Sequence, residues 1–241
     1  MKIEIKHYIT GKILLGGEYE SIKDCLEKNR GADLTWANLT EADLTGADLT
    51  GADLTRANLT GADLTGADLR WADLARANLT RANLVRADLT GADLTGANLT
   101  GADLTRANLT GANLARANLA RAHLEEANLT WADLTRANLV RADLTGADLT
   151  GANLTGADLT WVNLTGVKRY YNSHEIALEI IKRQKPNYFT NKEWSIIGKV
   201  TVHRFCWDKL RTDYKAVISI FRKLEKLGFN EYIKKFKGEI K

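Results

Sequence analysis

The side chains that do most enzyme chemistry are few in this chain and stand far apart. Its 241 residues include four histidines, His7, His123, His174 and His203, and two cysteines, Cys25 and Cys206. Zinc sites draw on closely spaced His or Cys pairs. His174-Glu175 opens like such a pair, but no histidine follows four residues after His174, and the cysteines are not neighbours. Cys25 and Cys206 fall in different segments, so two reduced thiols are expected rather than a disulfide. Acids are plentiful but evenly spread and outward-pointing, with no expected partner to shift a pKa, unlike the paired carboxylates of an acid–base site. The glycines recur at the same interval as the acids, so they do not form a phosphate-cradling loop after a strand. No catalytic centre, cofactor or metal is expected, and the chain reads as no enzyme.

What positions all these residues is a repeat. From Leu34 to Leu164 every fifth residue is leucine, 27 times without exception. Two places before each leucine stands Ala, from Ala32 to Ala157, then Val162. One place before it stands Asp or Asn, except at His123, which reads as a tolerated substitution in that slot. Leu and the residue two places earlier point the same way on a short extended segment, while the Asp/Asn between them and the following Thr point out. The fifth residue breaks the alternation, so the chain turns a corner once per unit. Such a coil buries a continuous Leu/Ala column only by stacking on itself, as solenoids do.

The motif, as in Ala42-Asp43-Leu44-Thr45-Gly46, resembles the pentapeptide-repeat family over residues 31–165. The resemblance implies a mainly β fold, a right-handed quadrilateral β-helix with four pentapeptides per coil. Twenty-seven units then make about seven coils, a column about 32 Å tall at a strand spacing of roughly 4.8 Å. The Asp/Asn slot suits side-chain-to-backbone bonds at turns. On four sides, Asn38, Asn58, Asn78, Asn98, Asn118 and Asn138 form one expected ladder. Asp33, Asp53, Asp73 and Asp93 stack on a neighbouring face.

The same frame sorts the corner slots. Arg occupies 9 of the 28 from Gly31 to Gly166. Arg56, Arg76, Arg116 and Arg136 share one column, and Trp71 and Trp131 share another whose remaining members are Gly. Exposed Trp on an uncharged strip is a candidate partner anchor, with packing along the next coil as the plainer reading. Residues 81–105 recur identically at 136–160, an offset of 11 units that rotates the copy by one face. Growth by copying without regard to face moves the search for function toward the ends.

The ends differ in composition. The formal charge of +4 hides a net of +1 over residues 1–30, −7 over 31–165 and +10 over 166–241. Three segments follow: 1–30, 31–167 and 168–241. Residues 2–19 read as a β-hairpin with Ile3, Ile5, Ile9, Ile13 and Leu15 on its strands and Thr10-Gly11-Lys12 at the turn. Ser21 reads as the N-cap of a helix to about Asn29, with Cys25 and Leu26 inward, and this unit should cover the first coil. Past the repeat, Ser173 opens a helix, Pro186 breaks it, and Thr190-Asn191-Lys192-Glu193 reads as a capping box. This basic segment is similar to C-terminal regions on other pentapeptide-repeat proteins of bacterial and phage type.

The functional expectations follow from these segments. The first is a non-catalytic scaffold that engages a protein partner through its terminal units. The resemblance adds a second, since some members of that family mimic DNA and bind type II topoisomerases such as gyrase. About 32 Å of duplex carries roughly 19 negative charges, against this repeat's net −7. A third is nucleic-acid binding through the basic C-terminal unit, by Lys182, Arg183, Lys185, Lys234, Lys235 and Lys237. A homodimer through the C-terminal helices is a further expectation. No apolar run approaches 18 residues, and Met1 to Thr10 lacks the apolar core of a signal peptide, so no membrane partner and a cytoplasmic location are the default.

Overall fold

The computed structural model describes residues 1–167 together with Tyr188, Thr190, Glu193, Ser219, Ile220, Arg222 and Lys223. The chain divides into two compact units, Met1–Lys168 and Arg169–Lys241.

In the first unit, a regular array of backbone pairing begins at Asp33. Each Asp/Asn slot pairs in parallel with the slot 20 residues on, from Asp33↔Asp53 to Asp143↔Asn163. Four ladders result, starting at Asp33, Asn38, Asp43 and Asp48. The pairing interval equals four pentapeptides, and the fold is a mainly β solenoid.

One unit shows why five residues suffice. Ala72 N–H donates to Leu69 O at 3.1 Å and closes the corner. Asp73 N–H donates to Ala52 O at 2.9 Å, and Leu74 N–H to Asp93 O at 2.7 Å, so the strand is held from both sides. Ala75 N–H donates to Asp73 Oδ1 at 2.9 Å. Arg76 N–H donates to Thr95 O at 2.9 Å. Every backbone donor of the pentapeptide is accounted for, and the account recurs along the array, as a buried backbone requires. The Asp/Asn slot is therefore structural: its Oδ1 satisfies the one N–H that the corner bond and the neighbouring coils leave over.

The core is a column of Leu and Ala. The repeat leucines from Leu34 to Leu159 are all buried, and most are fully enclosed. Only Leu164 at the end is half-buried, as are Ala32, Ala52, Ala152 and Ala157 near the two ends.

The N-terminal segment covers the first coil. Strands β1 (Lys2–Lys6) and β2 (Ile13–Glu18) pair antiparallel, with a bulge at Ile5/Lys6. The chain then joins the array directly: His7 bridges Ala37 antiparallel, Asn38 N–H donates to Lys6 O, and Tyr8 N–H donates to Trp36 O. Helix α1 (Ile22–Lys28) is capped by Ser21, whose hydroxyl accepts from Asp24 N–H at 3.0 Å. Cys25 and Leu26 are buried as expected. Helix α1 and the residues after it reach the coil edge: Lys23 Nζ donates to Thr45 O, Glu27 Oε1 accepts from Asp48 N–H at 3.0 Å, and Arg30, past the helix, pairs with Asp48 at 2.7 Å. An edge that would recruit a foreign strand is thus closed.

One expected strand position is corrected. Ile9 lies in the turn, 62% exposed, because His7 Nδ1 accepts from both Ile9 and Thr10 N–H and folds the chain before β2 begins.

In the second unit the capping box forms. Thr190 N–H donates to Glu193 Oε2 at 2.7 Å, and Glu193 N–H donates to Thr190 Oγ1 at 3.3 Å. Glu193 is 2% exposed and pairs with Lys223 at 2.7 Å. The helix expected from Ser173 and the break at Pro186 lie outside the described residues. Among the described residues no helix is long and apolar enough to cross a membrane.

Candidate functional site

The corner slots decide what the column shows to solvent. All 28 of them, from Gly31 to Gly166, have φ between +55° and +82°. Thirteen are glycine; the other fifteen are Arg, Trp and Glu held in a left-handed conformation. That conformation costs an L-residue roughly 1–2 kcal/mol, so each such side chain is expected to give something back. The sequence marks the corner but not its handedness, so this strain is invisible in the residue pattern.

Part of the return is packing on the next coil. The Trp71 ring lies over Gly91 and the Trp131 ring over Gly151; a methyl at either glycine would collide with Cε3 and Cζ3 of the ring. Arg76 and Arg136 lay their stems over Gly96 and Gly156 in the same way. Trp71 and Trp131 nonetheless remain 69% exposed. They share one column, three coils or about 14 Å apart, and the bare Gly111 lies between them with nothing within 4 Å of where its side chain would start.

The expected arginine column is present. Arg76, Arg116 and Arg136 are exposed, and Arg56 is half-buried. Arg56 holds its guanidinium 4.9 Å from the Trp36 ring centroid. Trp36 in turn stacks on His7 at 5.8 Å and meets Tyr8 at 5.5 Å. This aromatic cluster ties the hairpin to the first coil, and it accounts for His7 without chemistry. Beyond it, Tyr8, Ile9 and Ile13 form an apolar tip, 43%, 62% and 49% exposed. Sequence reasoning placed Ile13 on a strand, as found, but put Ile9 on one too and so missed the tip; Tyr8-Ile9 beside Thr10-Gly11 was the available signal. Lys182, Arg183, Lys185, Lys234, Lys235 and Lys237 lie outside the described residues, as do His174, His203 and Cys206.

Two electrostatic expectations are sharpened. The acids were read as having nothing beside them to move a pKa, but the Arg70 guanidinium forks onto Asp68 at 2.6–3.0 Å and holds its carboxyl at about 2. Asp33, Asp43 and Asp48 are also lowered, by the Thr two residues on, whose groups donate to the carboxylate. The asparagine ladder exists as backbone pairing. Its side chains link directly where Asn138 Nδ2 donates to Asn118 Oδ1 at 3.1 Å, whereas Asn98 Nδ2 donates to Thr80 Oγ1. The reason is competition, since each Oδ1 is already turned to its own Thr or its own turn.

His123 sits between Asp103 and Asp143 on its ladder and holds Glu125 at 3.1 Å, which raises its pKa. It is exposed, with no nucleophile or metal partner beside it. Burial raises the Cys25 thiol above its ordinary range, the setting of an inert cysteine. Among the described residues no group of His, Cys, Asp and Glu is placed to hold a metal ion. What the described residues of the column offer a partner is a display of corner side chains.

Known proteins share the repeat. Residues 32–70, 72–111, 102–139 and 127–166 match the family described as pentapeptide repeats, in 8 copies. Among curated proteins no sequence matches. Among solved structures the chain is similar to HetL, a pentapeptide repeat protein involved in heterocyst differentiation regulation from the cyanobacterium Nostoc sp. strain PCC 7120. The two are 35% identical over 57% of this chain and 78% of that one, with a TM-score of 0.33. It is similar also to the pentapeptide repeat protein Rfr23 from the cyanobacterium Cyanothece 51142, 38% identical over 39% of this chain and 61% of that one, TM-score 0.36. QnrB1, a plasmid-mediated fluoroquinolone resistance protein, is 21% identical over 60% of this chain and 92% of its own, TM-score 0.32. Matched over more than half its length, unit after unit, this chain belongs to the pentapeptide repeat family.

Proposed function

We propose that the protein is a non-catalytic scaffold: a column, wound right-handed on four sides in about seven coils, whose terminal units engage a protein partner. The interval of 20 residues between paired slots supports the four-sided section. One observation carries the functional reading. Of the large apolar side chains left exposed among the described residues, Met1, Tyr8, Ile9 and Ile13 belong to the N-terminal hairpin, and the rest are the tryptophans Trp71, Trp131 and Trp161. An apolar tip on a hairpin braced by the Trp36 cluster is a small, rigid anchor of the kind partners bury.

The test is affinity capture from the native host with the full chain. Ile9→Lys with Ile13→Lys should lose the captured protein, while Trp71→Ala with Trp131→Ala should keep it. Capture that survives the hairpin change removes the reading.

The topoisomerase reading has less support. The net of −7 over the repeat is a weak copy of duplex charge, and the acids are not spread around all four ladders. Gyrase supercoiling that continues unchanged at micromolar protein would close it.

A further inference from the structure

One corner column of the array carries no charge. Its members are Gly31, Gly51, Trp71, Gly91, Gly111, Trp131 and Gly151. Trp71 and Trp131 take the left-handed corner at φ +61° and +60°, where glycine would sit without strain. Each indole lies over the glycine one coil on, Gly91 or Gly151, and stays 69% exposed. Gly51 and Gly111 are bare, with nothing within 4 Å of where a side chain would start. The surface along the column therefore alternates: a bare corner at Gly51, an indole over Gly91, a bare corner at Gly111, an indole over Gly151.

That order is self-complementary. From Gly51 to Gly111 is 60 residues, three coils, and the same interval separates the two indoles. A second copy, run antiparallel about a two-fold axis midway between Gly91 and Gly111, sets its Trp71 indole on Gly111 and its Trp131 indole on Gly51. It receives the same two indoles in return, as an isologous contact requires. No other antiparallel register seats both: Gly31 is bare too, but an indole placed there leaves the other on the covered Gly91 or beyond the array. A parallel copy, on a two-fold along the column, sets indole on indole. At the centre of the antiparallel pair the two Trp71 rings stand one coil apart, about 4.8 Å along the axis, inside the 4.5–7 Å range at which aromatic rings attract. The faces beside the column fit the same axis. It brings Asp53, Asp68, Asp88 and Asp93 level with Asn153, Asn128, Asn108 and Asn113 of the second copy, carboxylate against amide. Asp73 with Asp133 and Asp48 with Asp148 are the like pairs, and Asp48 is already held by Arg30.

We infer that this column is an interaction surface for a second copy of the chain, in an antiparallel two-fold pair centred on Trp71. The contact is small. Four indoles of roughly 150–250 Å² each, partly covered already, amount with the surface they meet to about 1,000 Å², the low end for a specific interface. The pair is therefore weak, dissociating at about micromolar concentration. It uses nothing of the hairpin tip and so stands apart from the partner proposed for that tip.

The test is sedimentation of the full chain from about 1 μM to about 1 mM, over which wild type should pass from monomer to dimer. Trp71→Gly with Trp131→Gly removes both indoles and relieves two strained corners. Gly111→Arg fills the central bare corner, in a conformation that arginine already holds at nine others. Gly66→Arg adds the same charge at a bare corner of another column, φ +64°. The inference expects the double Trp variant and Gly111→Arg to raise the dimer dissociation constant about tenfold or more, with Gly66→Arg close to wild type. It is overturned if wild type stays monomeric throughout, if the dimer survives the double Trp change, as one built on the C-terminal helices would, or if Gly66→Arg weakens it as much as Gly111→Arg.

Discussion

At the scale of the residue, two positions carry the clearest physical consequences. Gly91 and Gly111 occupy the same corner column with the same left-handed backbone, φ +67° and +65°. A methyl at Gly111 meets nothing, while one at Gly91 meets the Trp71 ring. Gly111→Ala should therefore cost only the left-handed strain, about 1 kcal/mol. Gly91→Ala should cost more and displace the indole, and Trp71→Ala should bring the cost of Gly91→Ala down to that of Gly111→Ala in a thermal or denaturant double-mutant cycle. The second consequence is electrostatic. Asp68 is held at about 2 by Arg70. Its folded pKa lies below the unfolded value of about 3.9, so its contribution is complete above that value and is lost as pH falls through about 2. The group is partly exposed, so the contribution is small. Arg70→Ala should move the Asp68 carboxyl back toward about 3.9 in a carboxyl-carbon NMR titration.

At the scale of the element, the hairpin and α1 show how an open solenoid end is closed. Glu27 lends a carboxylate oxygen to Asp48 N–H, a donor that would otherwise pair with a coil that does not exist. Glu27→Ala should leave it unsatisfied at about 1–2 kcal/mol, and Glu27→Gln should keep most of that; urea unfolding of both variants measures the difference. This end was largely legible in the sequence. Ser21 announced its cap, and Ile3 and Ile5 alternate as a half-buried strand must. Ile9 misled because its apolar character fits a strand, while the ring nitrogen of His7, a local acceptor for the N–H groups two and three residues on, placed it in the turn. The repeat was legible for a different reason: one leucine per five residues demands a coil that stacks on itself, and the family resemblance supplied four units per coil. The Arg56 column was half legible: it follows once four units make a coil, but its left-handed backbone and the Trp36 ring against Arg56 need coordinates.

At the scale of the whole repeat, the account rests on a backbone whose donors are paired almost throughout the array. Away from the two ends each pentapeptide closes its corner and pairs with the coils on both sides, and it caps its last N–H with its own Asp or Asn except where His123 takes that slot. The interior of such a column is filled by Leu and Ala side chains, so the repeat meets other molecules through its surface. Hydrogen exchange followed by mass spectrometry on the full chain tests this most directly. Amides from Ala37 to Ala147 should be protected to a single level, set by unfolding of the array as one body, with the turn at Tyr8, Ile9 and Thr10 exchanging earlier. Fast or graded exchange in the middle of the array, around Leu94 to Leu109, would contradict a rigid scaffold and with it the function proposed for the ends.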